Sequence, residues 1–231
     1  MKINFLLILL TVFSFNLISK DLSGIKASRT ILSMDSGEME FLITKKEDNL
    51  WEMRSFVDGG RVFEREEISI FKLSKENLIP LNHKLRSRYL FIKIKRSTSF
   101  DWENLKANYQ EGKDKKSIPL IEGTLGPATA QLQMRLDLRR LDLNSLPEKI
   151  KYLIFFRGEI KQRTYLLEGF EDIKTPLGNF KALKLSREFA PDEEREQVYW
   201  FAPELDFAVV RILNKDRRQS DFLLKSLEII D

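Results

Sequence analysis

Leu81-Asn82-His83-Lys84-Leu85-Arg86-Ser87-Arg88-Tyr89-Leu90-Phe91-Ile92-Lys93-Ile94-Lys95-Arg96-Ser97 alternates polar and apolar residues and changes phase once. In its first half Lys84, Arg86 and Arg88 share one face, with Leu85, Ser87, Tyr89 and Phe91 on the other. In its second half Leu90, Ile92 and Ile94 form the apolar set against Lys93 and Lys95. A one-residue change of phase is what a β-bulge produces, so the stretch predicts one long strand that bends. Bent strands of this kind belong to strongly curved or partly closed sheets.

Outward from it, short apolar segments recur between polar turns. They predict strands at Met39–Lys45, Leu50–Val57, Val62–Leu73, Asn104–Gln110, Ile150–Arg157, Arg163–Phe170, Phe180–Arg187, Gln197–Ala202, Ala208–Asn214 and Ser220–Ile229. Many short strands at this spacing indicate a mainly β fold: a curved, partly closed antiparallel sheet, open and barrel-like. Asp58-Gly59-Gly60 supplies residues that accept positive φ between two such strands. In Thr175-Pro176-Leu177-Gly178-Asn179, Pro176 pre-sets a turn and Gly178 is expected at the left-handed position of a three-residue hairpin. Asn214-Lys215-Asp216-Arg217-Arg218 reads as a longer polar loop before the last strand.

One helix is expected to pack on this sheet, at Pro127–Leu141. Proline after Gly126 suits a first helical turn, and Ala, Gln, Leu, Met and Arg follow, all good helix formers. The competing pattern is alternation of Ala128, Ala130, Leu132, Met134, Leu136 and Leu138 with period two, which would suit a strand.

The N-terminus has the layout of a secretory leader. Lys2 is followed by an apolar run from Phe5 to Phe15, then Leu17-Ile18-Ser19 before Lys20. The run is shorter than the roughly 20 residues needed to cross a bilayer, and no second apolar run of that length follows. Residues 1–19 are therefore expected to be a cleaved signal peptide, with one β-rich domain over 20–231 and no transmembrane segment after cleavage. The 231-residue chain is 42% hydrophobic and 32% charged, enough apolar material for a sizeable core. A formal net charge of +4 is small for so many ionisable groups and sets a nucleic-acid partner aside. The absence of cysteine excludes disulfides, cysteine acylation, thiol catalysis and cysteine-based metal sites.

Catalytic and cofactor motifs are missing. His83 is the one histidine, and no Gly-x-Ser-x-Gly elbow, His-Glu-x-x-His or calcium-loop spacing accompanies it. No catalytic residue, metal ligand or cofactor follows from the sequence. Asp192-Glu193-Glu194 and Glu66-Glu67 are the acid groups a glycoside-hydrolase reading would draw on, but adjacent acids are commonly surface charge. Lys84, Arg86 and Arg88 read either as an anion-binding stripe or as a solvated face paired with Glu64-Arg65-Glu66-Glu67. Trp102 and Trp200 are the candidate ligand-binding residues, with core packing as the alternative role.

The chain resembles the family of domain of unknown function 3108, found in exported proteins of Gram-negative bacteria. The resemblance is carried by Ile70-Phe71 with Leu78-Ile79-Pro80, by Phe100-Asp101-Trp102, and by Gln131-Leu132 with Leu136-Asp137-Leu138. It continues through Thr175-Pro176-Leu177-Gly178-Asn179-Phe180 with Lys184 and Arg187, and Trp200-Phe201-Ala202-Pro203 with Leu205 and Val210. It implies a periplasmic, β-rich protein and supplies no activity. Two functions compete at this point. One is a non-catalytic envelope protein that binds a lipid, another apolar or amphipathic ligand, or a periplasmic partner. The other is a carboxylate-dependent hydrolase of an envelope polymer.

Overall fold

The computed structural model describes residues 25–47, 49–74, 77–188, 196–215 and 219–230. The leader, Asp192-Glu193-Glu194 and the Asp216-Arg217-Arg218 part of the last loop lie outside the described residues. The first eight strands are β1 (Ser28–Met34), β2 (Gly37–Glu47), β3 (Leu50–Gly59), β4 (Phe63–Ser74), β5 (Asn77–Tyr89), β6 (Ile92–Asp101), β7 (Lys106–Glu111) and β8 (Asp114–Pro119). One helix follows, α1 (Pro127–Leu138). The remaining strands are β9 (Lys149–Phe156), β10 (Glu159–Thr175), β11 (Gly178–Arg187), β12 (Glu196–Ala202), β13 (Ala208–Lys215) and β14 (Ser220–Ile229).

These strands make one 14-stranded antiparallel sheet in the order β8-β7-β6-β5-β4-β3-β2-β1-β14-β13-β12-β11-β10-β9. Every pairing is a sequential hairpin or meander step except β1 with β14, which joins the two ends of the chain. The sheet curls until its edge strands approach each other but does not close. Leu125 spans the gap: its N–H donates to Leu153 O and its carbonyl accepts from Phe155 N–H, both at 2.8 Å. Side chains complete the approach, with Phe155 edge-on to Phe100 at 5.6 Å and tilted on Tyr109 at 6.1 Å. The free edge of β8, Asp-Lys-Lys-Ser-Ile-Pro, is charged and ends in proline, which discourages edge-to-edge pairing.

α1 fills the inside of the curl, and this explains its ambiguous sequence. Two residues along a helix turn about 200°, so alternating apolar positions fall on two opposite faces. Leu132 and Leu136 pack into one cluster with Leu32, Ile43, Phe71 and Phe222. Met134 and Leu138 pack into another with Tyr165, Leu183, Leu185 and Phe201. Apolar on two opposite faces, α1 is a plug between these clusters, while its polar Gln133, Arg135 and Asp137 bond to neighbouring groups. It starts at Pro127, where Thr129 Oγ1 accepts from the Gly126 N–H at 2.8 Å, and it ends at Leu138, before the expected Leu141. Gln133 ties it to the sheet, its Oε1 accepting from Leu78 N–H at 2.8 Å and its Nε2 donating to Asp137 at 2.9 Å.

The 81–97 stretch is not one bent strand. It is β5 and β6, joined by a turn at Leu90-Phe91, with Tyr89 directly opposite Ile92. A two-residue turn moves the inward positions from odd to even numbers, just as a bulge would. The usual turn residues are absent there, so the sequence pattern does not separate the two cases. β1 and β8 were not expected either: Ser28–Met34 is short and β8 carries little apolar material. β7 begins at Lys106, two residues beyond the expected start. Asn104 belongs to the preceding turn and bonds Asp101 through its N–H at 3.0 Å and its Nδ2 at 2.8 Å.

The long hairpin of β10 and β11 is bent by a bulge at Gly169, which takes φ +93. Its tip reaches across the sheet, where Leu177 N–H donates to Leu224 O at 3.2 Å. This encloses a further cluster of Ile173, Ala182, Val198, Trp200, Val210 and Leu224. The turn holds two residues, Pro176 and Leu177, rather than three. Gly178 opens β11 at φ +156, outside the left-handed helical region it was expected to occupy. L residues rarely adopt that angle; an added Cβ would meet Phe180 Cζ only at ordinary contact distance, 3.5 Å, so the cost lies in the backbone. Gly178→Val is therefore expected to cost about 1–2 kcal/mol and Asn179→Ala less, read from denaturant midpoints. Equal, negligible shifts would show that the turn does not depend on this glycine.

Candidate functional site

The inner face of β4 to β7 carries a buried polar cluster around His83. Ser69 and His83 face each other across β4 and β5, and Ser69 Oγ lies 2.9 Å from His83 Nδ1. Glu67 Oε2 lies 3.6 Å from His83 Nε2, and Arg65 pairs with the same carboxylate. The carboxylate beside Nε2 favours the proton on that nitrogen, which leaves Nδ1 to accept from the Ser69 hydroxyl. Nearby, Arg96 pairs with Glu111 at 2.7 Å and Tyr109 donates to Glu111 at 2.6 Å. Burial and then the Glu111 bond push the Tyr109 hydroxyl up to about 12, while Arg96 holds Glu111 below the usual carboxylate range.

Ser69, His83 and Glu67 are the residue types of an acyl-transfer triad, brought together by strand register alone. The order of contacts makes the Ser69 proton available to Nδ1. Room for a substrate is what the geometry withholds. Ser69 is 3% exposed, and the space beside His83, Arg96 and Tyr109 is about 30 Å³. That accommodates about two ordered waters, whereas small-molecule pockets run to about 300–1,000 Å³. The cluster locks β4 to β5. Glu66 and Glu67, adjacent on β4, point to opposite faces: Glu66 binds Arg54 outside at 2.7 Å, Glu67 faces His83 inside. Among the described residues no group of three or more acids and histidines could hold a metal ion.

The ring of His83 is pushed below its ordinary value by burial, with Glu67 opposing and Arg65 adding to the shift. The folded protein prefers it neutral, so as pH falls the unfolded chain takes the proton first. Its stabilising contribution is complete above the unfolded value near about 6.5 and is lost as pH falls through the folded value. Between about pH 7.5 and about pH 5.5, the unfolding midpoint is expected to drop more for the wild type than for His83→Gln. Parallel profiles for the two proteins would contradict this assignment.

The two tryptophans sit in separate clusters. Trp200 is 3% exposed; its Nε1 donates to Glu171 at 2.8 Å and the Arg211 guanidinium lies 4.5 Å over its ring. That bond is the main reason the Glu171 carboxyl titrates below its ordinary range. Trp102 is half-buried in the β6–β7 turn, stacked on Phe100 at 6.4 Å, with its Nε1 donating to Pro80 O at 2.7 Å. The fold does not bring them to one site.

A different corner gathers exposed apolar and charged groups. At the β5–β6 turn Tyr89, Leu90, Phe91 and Ile92 are all exposed, Phe91 to 96%, and Val62 of the β3–β4 turn stands beside them. Leu90 N–H donates to Val62 O at 2.8 Å, tying the two turns together. The Lys84, Arg86 and Arg88 stripe is on the outer face as expected. Arg88 pairs with Glu64 at 2.9 Å, but Glu66, opposite Arg86, is engaged by Arg54. An open cleft of about 370 Å³ adjoins this corner, lined by Phe56, Asp58, Gly60, Arg61, Glu64 and Arg88. Gly60 takes φ +67 and donates to Asp58 Oδ1 at 2.7 Å, shaping its floor. Two of its lining charges, Glu64 and Arg88, pair with each other across the cleft wall. Sequence reading passed over this corner because its signal is an apolar pair where a turn residue belongs.

An open, barrel-like antiparallel sheet plugged by a helix is the class this architecture defines. A crystal structure of a beta-barrel-like protein of domain of unknown function DUF1849 from Brucella abortus has the same fold. Its TM-score is 0.58 at 8% identity, over 90% of this chain and 100% of that one. A "putative lipoprotein" from Parabacteroides distasonis aligns at a TM-score of 0.31 and 12% identity, over 88% of this chain and 96% of that one. No curated protein matches the chain. The chain belongs to the family described as protein of unknown function (DUF3108), whose model matches residues 20–217. No helix among the described residues is long and apolar enough to cross a membrane.

Proposed function

We propose that this is an exported envelope protein, delivered to the periplasm by cleavage of residues 1–19, that binds an amphipathic partner without covalent chemistry. The observation that carries the proposal is the corner formed by the β3–β4 and β5–β6 turns. There exposed apolar side chains adjoin Arg86, Lys93 and Lys95, which have no carboxylate partner among the described residues, and a cleft of about 370 Å³. The space beside His83 on the inner face, about 30 Å³, supports placing the partner at the surface. Trp102 and Trp200, the ligand-binding candidates from sequence, lie outside this corner and are not part of the proposal.

Native mass spectrometry of protein purified gently from the envelope is expected to show a retained amphiphile. Intact mass is expected to place the N-terminus within a few residues of Lys20. Loss of all adducts, together with no binding of phospholipids or fatty acids by isothermal titration, would remove the binding reading. Turnover of an envelope polymer, abolished by one carboxylate substitution in a folded protein, would replace it with the hydrolase. Met1 retained in envelope-purified protein would sink the export reading.

A further inference from the structure

The β5–β6 turn breaks a local rule. Two-residue hairpin turns ordinarily carry asparagine or glycine, which tolerate positive φ. Here Leu90 takes φ +52 and Phe91 follows it, 50% and 96% exposed. Leucine is strained at that backbone angle, and neither ring nor branch finds a core. Departures from local preference concentrate at functional positions.

The charges behind the tip indicate which phase it meets. Arg88 stands directly opposite Lys93, and Arg86 opposite Lys95. Directly opposed like charges destabilise a ladder. Glu64 answers Arg88, but among the described residues Arg86, Lys93 and Lys95 have no carboxylate partner. Lys93 and Lys95 lie two and four residues from Phe91, which sets them about 7 and 14 Å behind it along the strand. That is the layering of a bilayer surface, with an apolar point, aromatic and aliphatic shoulders at Tyr89 and Ile92, then cations at headgroup depth. The tip's Leu90 N–H is already bonded to Val62 O, as a low-dielectric medium requires.

We infer that the Leu90-Phe91 tip inserts into the interfacial layer of an anionic phospholipid bilayer, with Arg86, Lys93 and Lys95 against the lipid phosphates. This rests on the amphipathic-partner reading and deepens it by naming the partner. A protruding convex tip buries its side chains readily in a soft phase, and the unneutralised cations match a negative surface.

The test is co-sedimentation of the mature protein, purified from the envelope of its native host, with two kinds of vesicle. One contains phosphatidylglycerol and phosphatidylethanolamine, the other phosphatidylcholine alone. Binding is expected to the anionic vesicles, weakened by salt, and reduced at least about tenfold in Phe91→Asp and in the Lys93→Glu, Lys95→Glu double variant. Unchanged melting midpoints of these variants exclude misfolding as the cause. Equal binding by wild type and Phe91→Asp, or equal binding to neutral vesicles, would overturn the inference. A photo-crosslinking residue in place of Phe91 that captures protein rather than lipid in intact cells would also overturn it. If vesicles are not bound but native mass spectrometry shows a retained amphiphile, this inference falls while the amphipathic-partner reading stands. If neither is seen, both fall.

Discussion

Asp206→Ala is expected to lower folding stability by about 3 kcal/mol, the low end for breaking a buried ion pair because Asp206 is itself partly exposed. Asp206 sits at φ +55 in the turn after Pro203–Leu205, between β12 and β13, and its carboxylate ties that turn to α1. Arg135 Nε donates to its carbonyl at 2.9 Å, Arg135 Nη2 lies 3.3 Å from Oδ2, and Arg139 Nε lies 3.1 Å from Oδ1. Arg135 and Arg139 are one helical turn apart, so alanine leaves two nearly buried guanidiniums facing each other without their shared carboxylate. Burial already presses the Arg135 guanidinium down. Asp206→Asn separates charge from backbone, because asparagine also tolerates the left-handed region and keeps the carbonyl acceptor. Its loss should be smaller than that of alanine. Chemical denaturation measures both, and a loss under about 1 kcal/mol for Asp206→Ala would show that this clasp contributes little.

Much of the β architecture was legible because one face of most strands is buried and the period-two pattern survives. The failures have physical causes. A turn at Leu90-Phe91 and a bulge give the same shift of phase, and only an Asn-Gly pair would have told them apart. β8 was missed because its pairing to β7 rests on the backbone, with five of its six residues exposed. α1 alternated like a strand because it is wrapped by core on both sides. β12 is buried on both faces too: Val198 and Trp200 face one cluster and Phe201 the other, so Trp200 gave no sign of its surroundings. His83 was visible as a lone histidine. Its partner Ser69 was not, since nothing but the β4–β5 register, shifted by a bulge at Ile70/Phe71, puts them face to face. In the exposed corner the cationic stripe is legible in the sequence, whereas the apolar tip has the pattern of a strand interior.

Two phenylalanines twenty positions apart should therefore behave in opposite ways. Phe71 is fully buried in β4, opposite Trp51 on one side and Pro80 on the other, within the cluster that α1 caps with Leu132 and Leu136. Removing its ring leaves a cavity that a sheet pinned on both sides cannot collapse, so Phe71→Ala is expected to cost about 3–5 kcal/mol. Phe71→Leu keeps most of the volume and should cost less than about 1.5 kcal/mol. Phe91 has the same side chain at 96% exposure, so Phe91→Ala should leave stability within about 0.5 kcal/mol of the wild type. Urea midpoints of the three variants decide the stability half. Vesicle binding decides the other: it should survive in Phe71→Leu, which leaves the tip intact, and weaken in Phe91→Ala. A Phe91→Ala protein as destabilised as Phe71→Ala would mean that the tip is a structural contact, and its apolar exposure would need another explanation.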